Sequence, residues 1–291
     1  MPLSDNLRGA LYMNVAMAAF TLNDAAMKAA LQDLPLWQAI AMRGLVTLGP
    51  LLLVAHLSGG IRLSMGPKDR GVVAIRCFAE VASTLLFLAA LVHMPIANLS
   101  AILQALPLAV TLAAAVFFGE RVGWRRMSAI LVGFAGVLII IRPGPSGFDI
   151  WSLMGLASMA FVVLRDLSTR KLSRAVPSAT VAILASVAVT VTALALTPLT
   201  GWVMPTGRDI LLILAAATCL VAGYNFAVMV MRVGDVGFVA PFRYTSLLWA
   251  IVLGWLVFGT LPDALTLFGA ALVVGSGIFT LVRERRLAKA A

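Results

Sequence analysis

The chain has little charge. Asp, Glu, Lys and Arg make up 12% of its 291 residues while apolar residues reach 62%, whereas a soluble domain is about a quarter charged. Too few polar side chains remain to clothe a water-facing surface, which excludes an ordinary soluble domain. Histidine is almost missing, and the two that occur, His56 and His93, fall near opposite membrane faces and cannot share a metal ion. The two cysteines, Cys77 and Cys219, sit inside apolar runs without the spacing of a zinc site. They read as buried thiols with no disulfide role. Neither a metal nor a cofactor is expected. There is no paired acidic motif and no nucleophile beside a base, the groups an enzyme needs at its site, so the reading is not enzymatic and no catalytic residue is assigned. Long polar connections are also lacking. Most links between apolar stretches are too short to hold a soluble domain, so function must reside within the membrane bundle.

What the chain has instead is ten apolar stretches, at about 9–29, 36–56, 71–93, 96–118, 124–142, 150–168, 179–199, 209–232, 236–258 and 263–282. Each suits a helix of the roughly twenty residues that cross the hydrocarbon layer. The predicted fold class is all-α integral membrane, with ten transmembrane helices. The basic residues sort between alternate connections. One set holds Arg8; Arg62, Lys68 and Arg70; Arg121, Arg125 and Arg126; Arg170, Lys171 and Arg174; Arg232; and Arg283, Arg285, Arg286 and Lys289, while the other holds only Arg142 and Arg208. Because positive loops stay on the cytoplasmic side, this places both termini in the cytoplasm and requires an even number of spans. The net charge of +10 then reflects topology and needs no nucleic acid. A signal peptide at 8–22 is the competing reading of the first run, but the run continues past Asp24 to Ala29 and nine spans follow, which favours an uncleaved helix. Trp37, Trp124, Trp151 and Trp202 lie near span ends, where indoles favour the headgroup layer; Trp249 lies deeper.

A shift of the chain against itself lays Leu108, Phe118 and Gly119 on Leu248, Phe258 and Gly259, and Val81-Ala82 on Val221-Ala222, with the span boundaries coinciding. The reading is therefore one transmembrane domain of two five-helix repeats, 1–143 and 147–291. Five is odd, so the second repeat enters the membrane from the opposite side, and the two are inverted repeats able to face a central site alternately inward and outward. With this duplication, the Phe117-Phe118-Gly119-Glu120 helix ending and the small residues Gly133/Gly136 and Gly269/Gly275/Gly277, the chain resembles the drug/metabolite transporter superfamily, and within it the EamA family of ten-helix carriers. It looks most like the YddG-type exporters, a resemblance that implies efflux of aromatic amino acids, methionine and similar metabolites across a bacterial inner membrane. In the second repeat Thr260 stands where the first has Glu120.

Polar side chains at membrane depth are costly and mark solute paths. On the third, fourth, eighth and ninth spans, those paired by the repeat, these include Glu80, Ser83, Ser100, Gln104, Tyr224, Asn225, Arg243 and Tyr244. Asn14, Asn23 and Asp24 on the first span and Trp249 on the ninth complete the expected cavity lining. Pro107 and Pro241 break their helices, as hinges or as simple kinks. Arg243 has five donors suited to a carboxylate, or pairs with Glu80. Arg76 and Glu80 stand at ion-pair spacing; a Glu80 free of that pair could instead take up a proton. Asp24 either pairs with Arg43 or, with Asn23, holds an ammonium group. The small-residue faces of the fifth and tenth helices either pack within the monomer or support a weak homodimer.

These features point to a carrier of small, amphipathic, zwitterionic metabolites, with membrane lipids as its other partners. A cationic-drug efflux carrier is the alternative within the superfamily. A channel is the alternative from another class, since pore and carrier share polar linings.

Overall fold

A computed structural model describes residues 5–57, 65–120, 122–142, 149–173, 176–233 and 236–290. Its helices are α1 (Asp5–Ala30), α2 (Leu36–Leu57), α3 (Pro67–His93), α4 (Ile96–Leu103), α5 (Leu106–Phe118), α6 (Trp124–Ile141), α7 (Ile150–Arg170), α8 (Ser178–Thr200), α9 (Gly207–Val233), α10 (Val236–Val239), α11 (Thr245–Phe258) and α12 (Ala264–Ala290), with a 3-10 turn at Ala240–Tyr244. Among the described residues nine spans are long and apolar enough to cross a membrane, with α4 and α5 forming one of them and the 3-10 turn with α11 another. The tenth is α1, which Asn14, Asn23 and Asp24 make less apolar. It lies along α9 and touches α11, so its polar side chains face protein rather than lipid, the arrangement an intramembrane polar group requires.

The packing has a two-fold pattern. The first span lies on the eighth (α1 on α9) and the third on the sixth (α3 on α7). Exchanging the halves turns one of these pairs into the other. The second span lies on the seventh (α2 on α8), the fifth on the tenth (α6 on α12) and the fourth meets the ninth (α4 on α11), and each of these pairs maps onto itself. An axis relating two five-span units has to lie in the membrane plane, because odd units point oppositely.

Local chemistry repeats with the same register. Both α5 and α11 end at a glycine in the left-handed region, Gly119 (φ 68°) and Gly259 (φ 64°), the conformation glycine adopts without a Cβ penalty. Both central spans are broken, at Gln104–Ala105 with Pro107 at the start of α5, and at Ala240–Tyr244 with Pro241. Proline lacks the donor that would continue the ladder. The breaks touch, for Gln104 Nε2 donates to Ser246 Oγ at 2.6 Å.

The small residues of the fifth and tenth spans pack against each other within the chain. A Cβ on Gly136 would stand 2.6 Å from the Gly269 carbonyl oxygen, and one on Gly269 would stand 2.6 Å from that of Gly136. Backbone meets backbone there, as small residues permit in lipid.

The apolar core is one-sided. Its main cluster includes Met27, Ala30, Leu31 and Leu34 at the end of the first span, Ala39–Ala41 at the start of the second, Leu88–Met94 around the end of the third, and Ile96–Ile102 opening the fourth. Antiparallel threading puts all of these at the membrane face away from the start of α1, here the far face. At the near face the described residues add only a small cluster, Ala114, Val163 and Leu167. An inverted repeat with one half tightly packed is a bundle closed at one face.

Candidate functional site

Below the closed face, four spans bring charge together. On α1, Asn23 is buried; its amide donates to Asp24 Oδ1 at 2.9 Å and its carbonyl accepts from Arg43 of α2 at 3.3 Å. The direct Asp24–Arg43 ion pair suggested by the sequence does not form, because Asn23 stands between them. On α3, Glu80 takes Arg76 Nη1 at 3.7 Å, four residues away on its own helix, and Arg165 of α7 at 3.3 Å. Arg76 also donates to Thr169 Oγ1 at 3.0 Å, and Arg165 to its neighbour Asp166 at 2.9 Å. Glu80 pairs with these two arginines and not with Arg243. Held from two sides, it is not the free carboxyl that the proton-uptake alternative requires.

Tyr224 of α9 joins these groups. Its hydroxyl lies within electrostatic reach of Glu80, Arg165, Arg43 and Arg76, while its ring packs edge-on to Phe20 of α1, centroids 5.4 Å apart. Gly223 makes room for this, since a Cβ there would come 2.7 Å from the Phe20 ring. Although charges of α2, α3 and α7 surround its hydroxyl, Tyr224 is 47% exposed, so open space reaches it. Beside it, Asn225 faces a cavity of about 250 Å³ between α2 and α9, lined with Val46, Pro50, Ala217, Thr218, Val221 and Ala222. Arg43, Val46 and Pro50 fall on one face of α2 by helical spacing, which sets this cavity on the near side of the charged group.

Three guanidiniums (Arg43, Arg76, Arg165) stand among three carboxylates (Asp24, Glu80, Asp166). The group is neutral overall, which lowers the cost of holding it in a membrane. It leaves hydrogen-bonding groups and aromatic faces facing open space.

The remaining candidates separate. Asn14 accepts from Trp249 Nε1 at 2.9 Å, joining α1 to α11 on the near side of Phe20. Gln104 is buried in its contact with Ser246. Ser83 is a packing residue: its hydroxyl donates to the Glu80 carbonyl and its own carbonyl accepts from Ser158 of α7 at 3.0 Å. Ser100 is half-buried on α4, its carbonyl accepting the Gln104 amide at 3.1 Å. Arg243 is half-buried on the 3-10 turn. Tyr244 does not line the cavity beside Asn225; with Pro241 it lines a second one of about 420 Å³ between the 3-10 turn, α11 and α12, where it is buried with its hydroxyl 1.8 Å from where a Gly277 Cβ would be. Neighbouring residues on a 3-10 turn point about 120° apart, which sends Arg243 and Tyr244 to different partners. The Arg76–Glu80 pair is the one expected from helical spacing, whereas Arg165 and Asp166 belong to the group without having been assigned to it from sequence. Counting every intramembrane charge together, rather than by span, is the signal that finds these two.

The sequence pattern of the EamA-like transporter family matches residues 7–142 and again 149–282. The chain is 32% identical over 278 residues to a riboflavin transporter of Vibrio cholerae, covering 94% of this chain and 92% of that one. It is 27% identical to the pseudopaline exporter CntI of Pseudomonas aeruginosa (91% and 93% covered) and 24% identical to an S-adenosylmethionine uptake transporter of Rickettsia felis (66% and 65% covered). A crystal structure at 22% identity superposes with a TM-score of 0.59 over 92% of this chain and 97% of the other, a likeness of fold. The chain therefore belongs to the EamA-like transporter family. It is a multi-pass membrane transporter of small metabolites built from two EamA repeats, and not an enzyme.

Proposed function

We propose that this transporter carries a neutral, polar heteroaromatic metabolite of the riboflavin class, bound between Phe20, Tyr224 and the Asn23–Asp24–Arg43 group, by alternating access. The observation that carries the reading is the self-neutralised set of charges around an exposed tyrosine. A site without net fixed charge suits an uncharged solute, aromatic faces suit a flat ring, and paired donors and acceptors suit an imide edge. The near-complete overlap with a riboflavin transporter supports the same class.

Zwitterionic amino acids are the second reading, in the manner of YddG-type exporters. One observation favours it: Asp24 and Arg43 face each other without touching, so an ammonium and a carboxylate could each find a partner. In either case the broken spans at Pro107 and Pro241, joined through Gln104 and Ser246, serve as hinges on which the halves rock. The sorting of Lys and Arg supports cytoplasmic termini, and the bacterial relatives support the plasma membrane as the location. The one-sided core then corresponds to a carrier shut toward the outside.

The test is counterflow in proteoliposomes. Vesicles preloaded with unlabelled riboflavin should accumulate labelled riboflavin in a saturable way and ignore a panel of twenty amino acids. Riboflavin uptake equal to that of empty liposomes, with tryptophan or methionine exchanged, would overturn the first reading for the second. Flux linear in concentration, with unitary currents, would replace the carrier by a channel.

A further inference from the structure

Lys28 makes contacts that the solute site does not use. Four residues past Asp24 on α1, its ammonium donates to the carbonyls of Leu91, Val92 (3.3 Å) and Met94 (2.8 Å) at the end of α3. The last carbonyls of a helix have no partner within it, so a cation there satisfies both their hydrogen bonding and the helix dipole. The same ammonium lies 5.5 Å from the ring centroid of Phe258, the last residue of α11. One side chain thus ties three helix ends together at the packed far face.

The second repeat has an equivalent. Aligning the first span with the sixth lays Leu22, Asp24, Lys28 and Pro35 on Leu164, Asp166, Arg170 and Pro177 without a gap. Phe258 is the repeat equivalent of Phe118, and Lys171 stands over the Phe118 ring at 5.2 Å. The cation-on-phenylalanine contact therefore occurs once at each face, with matching phenylalanines and cations one residue apart in register, since Lys28 aligns with Arg170 and Lys171 follows it. The third element differs. Arg170 pairs with Glu120, just past α5, at 3.3 Å, whereas the positions matching Leu91 and Val92 are Met231 and Arg232 in the last turn of α9. The far clamp holds a third helix end, and the near clamp, among the described residues, does not.

Building on the carrier reading above, we propose that Lys28 is the residue that holds the far face shut, and that Arg170–Lys171 is its counterpart, taking the last carbonyls of α9 when the near face closes. Both cation-on-phenylalanine contacts are present here, so it is the carbonyl contacts of the two clamps that form alternately as the repeats exchange conformations. Lys28 acts by positioning helix ends and touches no solute.

The experiment uses the full chain with Cys77→Ser and Cys219→Ala, and A101C as a reporter in the far-face core, where Ala101 is fully buried. Sealed vesicles of both orientations receive a membrane-impermeant maleimide. Lys28→Met should raise far-face labelling about tenfold or more, the scale of losing charge-assisted hydrogen bonds, while Lys28→Arg stays near wild type. Phe258→Leu, which keeps the ammonium, should raise it by up to about fivefold. Phe118→Leu, at the clamp that lacks a third helix end here, should leave it near wild type. If Lys28→Met does not purify as a monodisperse protein, Phe258→Leu and Phe118→Leu carry the test, and equal labelling of those two overturns the proposal. A Lys28→Met rate equal to wild type overturns it as well; if added riboflavin still changes the labelling, the carrier reading survives. Labelling that responds neither to these variants nor to riboflavin, with flux intact, overturns both.

Discussion

Glu80→Gln separates a structural anchor from a proton carrier. In the wild type the Glu80 carboxylate faces two guanidiniums, at 3.7 Å and 3.3 Å, with side chains only 16–25% exposed. Removing one member of a buried ionic group leaves the others uncompensated and costs about 3–5 kcal/mol. The partial exposure here argues for the lower end, about 3 kcal/mol. For a chain of this size each kcal/mol moves the midpoint by about 2 °C, so the expected loss in Tm is about 6 °C. The assay is thermal unfolding of purified protein in detergent, repeated with Arg165→Gln and with the double variant. Each single change should destabilise, and the double should recover part of the loss, because it removes opposite charges together. Asp24→Asn, whose carboxylate has one hydrogen bond from Asn23 and no ion pair, should lose much less. Should Glu80→Gln keep the wild-type Tm and selectively abolish a pH-gradient dependence of flux, Glu80 is a proton carrier and the anchoring argument fails.

Tyr224→Ala should lower riboflavin counterflow at least about tenfold with little loss of expression, and Tyr224→Phe should keep most of it if the ring is the main contact; equal loss in both would assign the role to the hydroxyl. Gly277→Ala forces a methyl onto the Tyr244 hydroxyl and should destabilise by about 1–3 kcal/mol; Tyr244→Phe in the same chain should relieve part of it, read by the same thermal assay. At the far surface Arg142 holds the Asp263 carboxyl well below the usual carboxylate range, helped by the Thr266 backbone N–H and hydroxyl. A depressed folded value means that the contribution is fully present above the unfolded value of about 4 and is lost only as pH falls below it. The effect of Arg142→Ala on Tm should therefore be constant between pH 5 and pH 8 and shrink with added salt; a steep pH dependence in that window would show that the two residues are not paired.

Most of the architecture could be read from the sequence, because the bilayer imposes it. Span length, charge sorting and the offset that lays Phe118-Gly119 on Phe258-Gly259 each have one physical cause, and the helices lie within a few residues of the expected spans except α12, which runs eight residues further, to Ala290. The site was harder to read. Which of two neighbours faces the cavity depends on local helix geometry, and a break that turns α-helix into a 3-10 turn sends Tyr244 toward α12 while Arg243 points elsewhere. Arg165 sits five residues from the end of α7, where sequence suggests a side chain reaching for the headgroups; only the tertiary partner, Glu80, pulls it inward. Ser83 reads as a cavity donor until Ser158 is seen against its carbonyl. Polarity at depth identifies the spans that matter, and packing decides which way each side chain turns.

The bare contact of Gly136 with Gly269 bears on how the halves can move. Interlocked leucines at that crossing would have to change rotamers together before one helix could roll over the other. Two peptide planes in contact present a smoother bearing, with only the flanking Ile139, Ile140, Leu272 and Val273 side chains beside it and fewer rotamers to freeze. The crossing of α6 and α12 can therefore act as a fixed axle, concentrating displacement in the broken central spans and leaving the periphery of the bundle in register with the surrounding lipid.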